Sequence, residues 1–213
     1  KNSFEWLAEK KNYVNNIKPG RYKLVNRMSN KELVELLRSG VQEPVRLTFN
    51  NIRTINQLAG CVSRQIEADS AEIVNLLNDK DFLIGYYLNP QTALSIFIPN
   101  TYEFFWNTSA RQFIKKMYKE SNIFWNENRC EKAKNIGYTP TEVMILASIV
   151  EEETNSEEEY PIIAGVYINR LKKNMPLQAD PTIKFALGDF AIKRVLIKDT
   201  QVKSPYNTYR HKG

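Results

Sequence analysis

Histidine and cysteine are nearly absent from this chain. One histidine, His211, and two cysteines, Cys61 and Cys130, stand among 213 residues, with no CxxC pair. That argues against a structural zinc site and excludes a disulfide framework. A Cys61–Cys130 disulfide is open to an exported protein; the alternative reading leaves both unpaired, with Cys61 a small core residue on an apolar helix position. Long apolar runs are missing too. The longest, Val143 to Val150, falls far short of the roughly 20 residues that span a bilayer. No membrane span or signal peptide is therefore expected within these residues. The first residue is Lys1 rather than Met, which leaves room for an export signal or anchor upstream. A strong charge of either sign is also lacking: 30 Lys and Arg stand against 24 Asp and Glu, for +6 and a pI near 9.2. The basic pairs Lys115-Lys116, Lys172-Lys173 and Lys193-Arg194 are dispersed among acids. They form no stripe for nucleic acid, and the small excess suits an anionic surface instead. With 42% hydrophobic and 25% charged residues, the composition is that of a folded globular chain.

A strand–cap–helix unit recurs along the first half. Tyr22–Val25 alternates like a short strand, Ser29-Asn-Lys-Glu32 is a capping box, and Leu33, Leu36 and Leu37 follow at helical spacing up to Gly40. The same grammar returns with Leu47–Phe49, Thr54–Gln57, and the helix face Leu58, Cys61 and Val62. A looser echo runs through Tyr102–Phe105, Ser109–Gln112, Phe113 and Met117. Such units cannot bury an apolar face alone, so the first two are expected to pack together as a small α/β module. A helix over Ser70–Asp79 presents Ile73, Leu76 and Leu77, and Ile96–Ile98 reads as a strand ending at Pro99. The break at Asn89-Pro90-Gln91 sets the expected boundary near 88–98, between a module over 1–95 and a domain over 96–213. The fold class is α+β: a small α/β module packed on a mainly helical domain with short strands.

The second half carries the chemistry. Thr139-Pro140-Thr141-Glu142 is a strong helix start, and the helix runs apolar on nearly every side through Val150 before reaching Glu151-Glu152-Glu153. An all-round apolar pattern predicts burial in the domain centre. At ~100° per residue, Glu151 sits above Met144, Ala147 and Ser148, and Glu153 above Leu146 and Ile149. A carboxyl group held against apolar walls at a helix C-terminus keeps its proton and can donate it. Spacing alone does not choose among the three glutamates, and at least two of them must be solvated. A second helix begins at Pro161 and leads to Arg170, a candidate contact for an anionic group or a partner in a helix-end ion pair. In the extended segment that follows, Gln178 and Asp180 alternate and could line a groove, while Asp180 equally suits a cap for the helix over 181–187. The segment Ser204–Arg210, with Tyr206, Asn207 and Tyr209, combines aromatic faces with amide donors, as saccharide-binding loops do.

These segments together resemble a known family. Leu146-Ala-Ser-Ile-Val-Glu-Glu-Glu-Thr154, Ile163-Ala-Gly-Val-Tyr-Ile-Asn-Arg-Leu171, Met175-Pro-Leu-Gln-Ala-Asp-Pro-Thr182 and Ser204-Pro-Tyr-Asn-Thr-Tyr209 look like the YceG-like family of endolytic murein transglycosylases. Pro19-Gly-Arg-Tyr22 with its following box resembles that family's LysM-like module, and Pro99-Asn-Thr-Tyr102 its Pro-Asp-Thr-Tyr segment, with Asn100 in place of Asp. The resemblance implies an envelope enzyme anchored in the inner or plasma membrane by an upstream helix, with its domain on the extracytoplasmic side. It also implies further chain beyond Gly213. The implied activity is endolytic cleavage of the β-1,4 bond between N-acetylmuramic acid and N-acetylglucosamine, leaving 1,6-anhydro ends. The resemblance puts the catalytic acid on Glu151, the first acid after Ala-Ser-Ile-Val. It makes Gln178, Asp180, Tyr206, Asn207, Tyr209 and Arg170 the candidates for substrate binding. Peptidoglycan glycan strands are the implied partner, with peptidoglycan synthases as further ones. No metal or organic cofactor is implied. The competing reading is a non-catalytic peptidoglycan-binding or scaffold protein.

Overall fold

The computed structural model describes residues 2–211. The chain is α+β, mainly helical with, among the described residues, one two-stranded antiparallel sheet, and divides into two compact units, Lys1–Asn126 and Glu127–Gly213. The expected boundary at 95/96 falls inside the first unit. The reason is strand pairing: β1 (Val45–Phe49) and β2 (Asn100–Phe104) lie antiparallel, with Val45 opposite Phe104 and Phe49 opposite Asn100.

In the first unit, Val45, Leu47 and Phe49 alternate inward along β1 while Arg46 and Thr48 point out, as a half-buried strand requires. Helix α1 (Ser3–Lys10) pairs with α2 (Asn30–Ser39), whose start is the capping box of Ser29 and Glu32. That helix ends at Gly40, in the left-handed region at φ 74, a conformation that costs glycine little. Helix α3 (Ile55–Ser63) is capped by Thr54 and buries Leu58, Ala59 and Val62; α4 (Ser70–Asn78) buries Ile73, Leu76 and Leu77. A short α5 (Lys80–Ile84) follows. Helix α6 (Ala110–Phe124) opens on the box of Ser109 and Gln112 and sends Phe113, Ile114 and Met117 inward. The Phe113 ring stacks on Phe97 at 5.7 Å, and Phe49 stacks on Tyr102 at 5.5 Å. Cys61 packs against this core with its thiol toward Thr48 O, and neither cysteine is in a disulfide.

Two expected strands are absent. Residues 22–25 are irregular, with Leu24 and Val25 more than half exposed; among the described residues no second strand pairs with them to satisfy their backbone groups. Ile96–Ile98 is instead the end of a 3-10 turn, Ala93–Ile96, followed by coil.

The second unit holds α7 (Glu127–Ile136), α8 (Pro140–Glu153), α9 (Tyr160–Lys172) and α10 (Asp180–Leu187). Helix α8 starts as the sequence indicates: Thr139 Oγ1 accepts from Glu142 N, and Glu142 Oε2 accepts from Thr139 N at 2.7 Å. It is not buried on all sides. Only Val150 is fully buried, and Ile145, Ala147 and Ser148 are exposed. The core of this unit is a small cluster of Val150, Tyr167, Leu177 and Ala179, flanked by Leu146, Ile149, Ile163 and Leu171. One stripe of α8 therefore faces its neighbours, and apolar composition overstated its burial.

Candidate active site

The stripe of α8 that meets the core runs through Leu146, Ile149 and Val150. Continuing it by one turn reaches Glu153, not Glu151, since two positions along a helix turn the side chain by ~200°. Glu153 lines a cavity of about 440 Å³ together with Ile162, Tyr167, Arg170, Gln178, Asp180 and Tyr209. Glu151, the acid expected from the resemblance, and Glu153 are both exposed on α8, and of the two only Glu153 is among the residues that line this cavity.

Around Glu153 the polar groups are built in layers. Tyr167, 7% exposed on α9, donates its hydroxyl to Glu153 Oε1 at 2.5 Å. Burial first, and then the hydrogen bond to Glu153 and its charge, push the Tyr167 phenol above its ordinary range. Arg170, three residues on, donates from Nη1 to Leu177 O at 2.6 Å and to Gln178 Oε1 at 3.2 Å. This guanidinium braces the extended segment. The segment turns twice through left-handed backbone, at Asn174 (φ 61) and Gln178 (φ 55). Such turns cost a non-glycine residue about 1 kcal/mol or more and persist only where neighbours hold them.

The loop 204–210 supplies the remaining hold. Thr208 O accepts from Gln178 N at 3.0 Å, and Thr208 Oγ1 accepts from Ala179 N and meets Thr182 Oγ1 at 2.8 Å. Tyr209 donates to Asp180 Oδ1, which turns Asp180 toward the cavity. Ala179 stands at the cap position of α10, so Asp180 is not the cap expected there. Burial first, then the Asp180 hydrogen bond and charge, push Tyr209 up to about 12. Asn207 is wholly buried: its Nδ2 donates to Thr200 O and Val202 O, and its Oδ1 accepts from Tyr209 N. It braces the loop and is shut off from any solute. Tyr206 is exposed and edges onto Phe185 at 4.8 Å, outside the cavity lining.

Of the residues expected at a site, the structure gathers Gln178, Asp180, Tyr209 and Arg170 in one cavity. It adds Glu153 and Tyr167, and leaves Glu151, Tyr206 and Asn207 out of the lining. The signal for Glu153 was its place above Leu146 and Ile149. Tyr167 carried no local signal, because only the packing of α9 on α8 brings it there. A larger cavity of about 510 Å³ in the first unit is lined by Leu7, Lys10, Lys11, Asn12, Lys31 and Arg38. It offers no carboxyl group for proton transfer.

The acid at the end of α8 opens on a cleft with one amide, two phenols, a guanidinium and a second carboxyl, beside the apolar side chains of Ile162, Ile163, Val166 and Leu177, a site that can hydrogen-bond a solute along one face. The pattern of the YceG-like family matches residues 1–213, and the chain belongs to that family. It is 30% identical to the endolytic murein transglycosylase of Bacillus subtilis (strain 168), over 91% of this chain and 58% of that protein. It is 29% identical to the endolytic murein transglycosylase of Streptococcus pneumoniae (strain R6), over 99% of this chain and 43% of that protein. The chain thus spans about half the length of these curated relatives. A crystal structure of a YceG-like protein from Listeria monocytogenes superposes with a TM-score of 0.70 at 27% identity, covering 99% of this chain and 74% of that one.

Proposed function

We propose that this chain is the glycan-cleaving part of an endolytic murein transglycosylase, with Glu153 as its proton donor. The observation that carries the reading is that Glu153 is the glutamate of α8 that lines the cavity, together with Gln178, Asp180 and Tyr209. In the proposed reaction, the Glu153 carboxyl gives its proton to the oxygen joining N-acetylmuramic acid to N-acetylglucosamine. The bond from C1 to that oxygen breaks, and the sugar passes through an oxocarbenium-like state. The C6 hydroxyl of the same muramic acid attacks C1 and closes the 1,6-anhydro ring, and its proton passes to the Glu153 carboxylate. No enzyme nucleophile or activated water is required. Gln178 and Tyr209 face the sugar as hydrogen-bonding groups, and Arg170 and Asp180 set the position of the wall that carries them.

The first unit fits a LysM-like glycan-binding role. Strand β1 is followed by helices α3, α4 and α5, a 3-10 turn and strand β2, with the two strands paired. The paired strands with α3 and α4 between them support a LysM-like module within the first unit. An extracytoplasmic location, a membrane anchor outside this chain and peptidoglycan synthases as partners belong to the same reading. Among the described residues no helix is long and apolar enough to cross a membrane.

Mass spectrometry of purified glycan strands after incubation with the protein tests the proposal. Wild type and Glu151→Gln are expected to yield anhydro-ended fragments, and Glu153→Gln none. Fragments from Glu153→Gln at the wild-type rate would reject the assignment. A wild-type digest without anhydro ends would favour the scaffold reading.

A further inference from the structure

The hydrogen bond from Tyr167 to Glu153 has no role in the proton count above, yet it joins the buried core of the second unit to the acid. A glutamate at an exposed helix end turns freely about its side-chain bonds, and each rotamer presents a different oxygen to a substrate. The Tyr167 ring is fixed among Val150, Leu177 and Ala179, so its hydroxyl is a donor at a set point, 2.5 Å from Oε1.

We propose that Tyr167 is a positioning residue for Glu153: it occupies Oε1, so that Oε2 is the oxygen that carries the proton and delivers it to the glycosidic oxygen. This rests on the reading of Glu153 as the acid. Two consequences follow from the chemistry. Once the proton has left, the same donor faces a full carboxylate and strengthens, which stabilises the charge as it forms. The phenol itself remains protonated, because burial and the neighbouring carboxyl both hold its proton in place. Tyr167 thus orients the acid without joining the proton transfer, and a phenylalanine would fill the same core volume while leaving Oε1 without its fixed donor.

The test uses the intact chain with Tyr167→Phe, Glu153→Gln and Glu153→Ala. In Tyr167→Phe, kcat for strand cleavage is expected to fall about tenfold to a hundredfold, the loss of one hydrogen bond to a charged group. KM is expected to stay within about twofold, since the bond acts on the acid and not on bound sugar. Unchanged kcat in Tyr167→Phe, beside a dead Glu153→Gln, would overturn the positioning role while leaving Glu153 as the acid. An active Glu153→Gln would overturn both. The bond itself is read by following tyrosine ionisation in the ultraviolet, which does not depend on activity or on Tyr167→Phe folding. In Glu153→Ala, which removes both the acceptor and its charge, the Tyr167 phenol is expected to ionise at lower pH than in wild type. An identical titration curve would show that the two groups do not meet in solution, and would overturn the proposal.

Discussion

Tyr209 donates its phenolic hydrogen to Asp180 Oδ1 at 2.5 Å, joining the last described loop to the first turn of α10. The bond sets the direction of a carboxyl group that would otherwise point to water. It also ties the protonation of one cavity residue to the fold of the unit.

The alkaline stability of the protein should report this bond. Folding raises Tyr209 from an ordinary phenol value of about 10 to about 12. A raised value means the folded state favours the protonated phenol. Its contribution is therefore complete below about pH 10 and is lost as pH rises through about 12. Denaturant unfolding at about pH 8 and about pH 11 should show a smaller alkaline loss in Tyr209→Phe than in wild type. At about pH 8 the variant should be less stable by about 1 kcal/mol. Equal alkaline losses in the two proteins would contradict the link.

Asn207→Ala should be among the most damaging changes in the second unit. It deletes two donors to the carbonyls of Thr200 and Val202 and one acceptor for Tyr209 N, all at a wholly buried position. Calorimetry should register a loss of about 2–3 kcal/mol. A loss below about 0.5 kcal/mol would indicate an exposed, sugar-facing amide instead.

Arg170→Lys should not behave as a conservative change. One Arg170 nitrogen reaches both Leu177 O and Gln178 Oε1, a geometry that a lysine ammonium on a longer, mobile stem does not reproduce. The expected results are a stability loss of about 1–2 kcal/mol and weaker glycan binding as the Gln178 wall loosens. Retained glycan affinity, measured in the Glu153→Gln background, would separate Arg170 from the site.

Thr139→Ala should shorten or fray α8 at its start, four turns from the acid. The cap exchange with Glu142 is worth about 1 kcal/mol. Thermal unfolding should move by that amount while the cleavage rate per folded molecule stays unchanged.

The sequence was most legible where the signal was local. The boxes at Ser29, Ser109 and Thr139, and the inward face Ile73, Leu76 and Leu77, appear as read, because a cap and an amphipathic stripe are settled within a few residues. At Thr54 the hydroxyl caps as expected, but the Gln57 side chain accepts from Arg53 N instead of closing the box. What depended on distant partners was harder to read. Tyr22–Val25 has strand-like alternation and no strand beside it, whereas Leu47 finds Tyr102 far along the chain. The polar loop 204–210 revealed its composition but not which side chains turn inward, so Asn207 read as a sugar contact. On α8, helical spacing had already set Glu153 above Leu146 and Ile149, and the packing of that stripe against α9 gives the position its meaning.

Thr208 clasps Gln178, Ala179 and Thr182 at once, so the stretch between α10 and the final loop is a lobe fastened at its neck. Insertions or deletions beyond that neck change the lobe's outline and leave the wall of the cleft where it stands. A change of length there alters the lobe without rebuilding Gln178 and Asp180, which the neck holds in place.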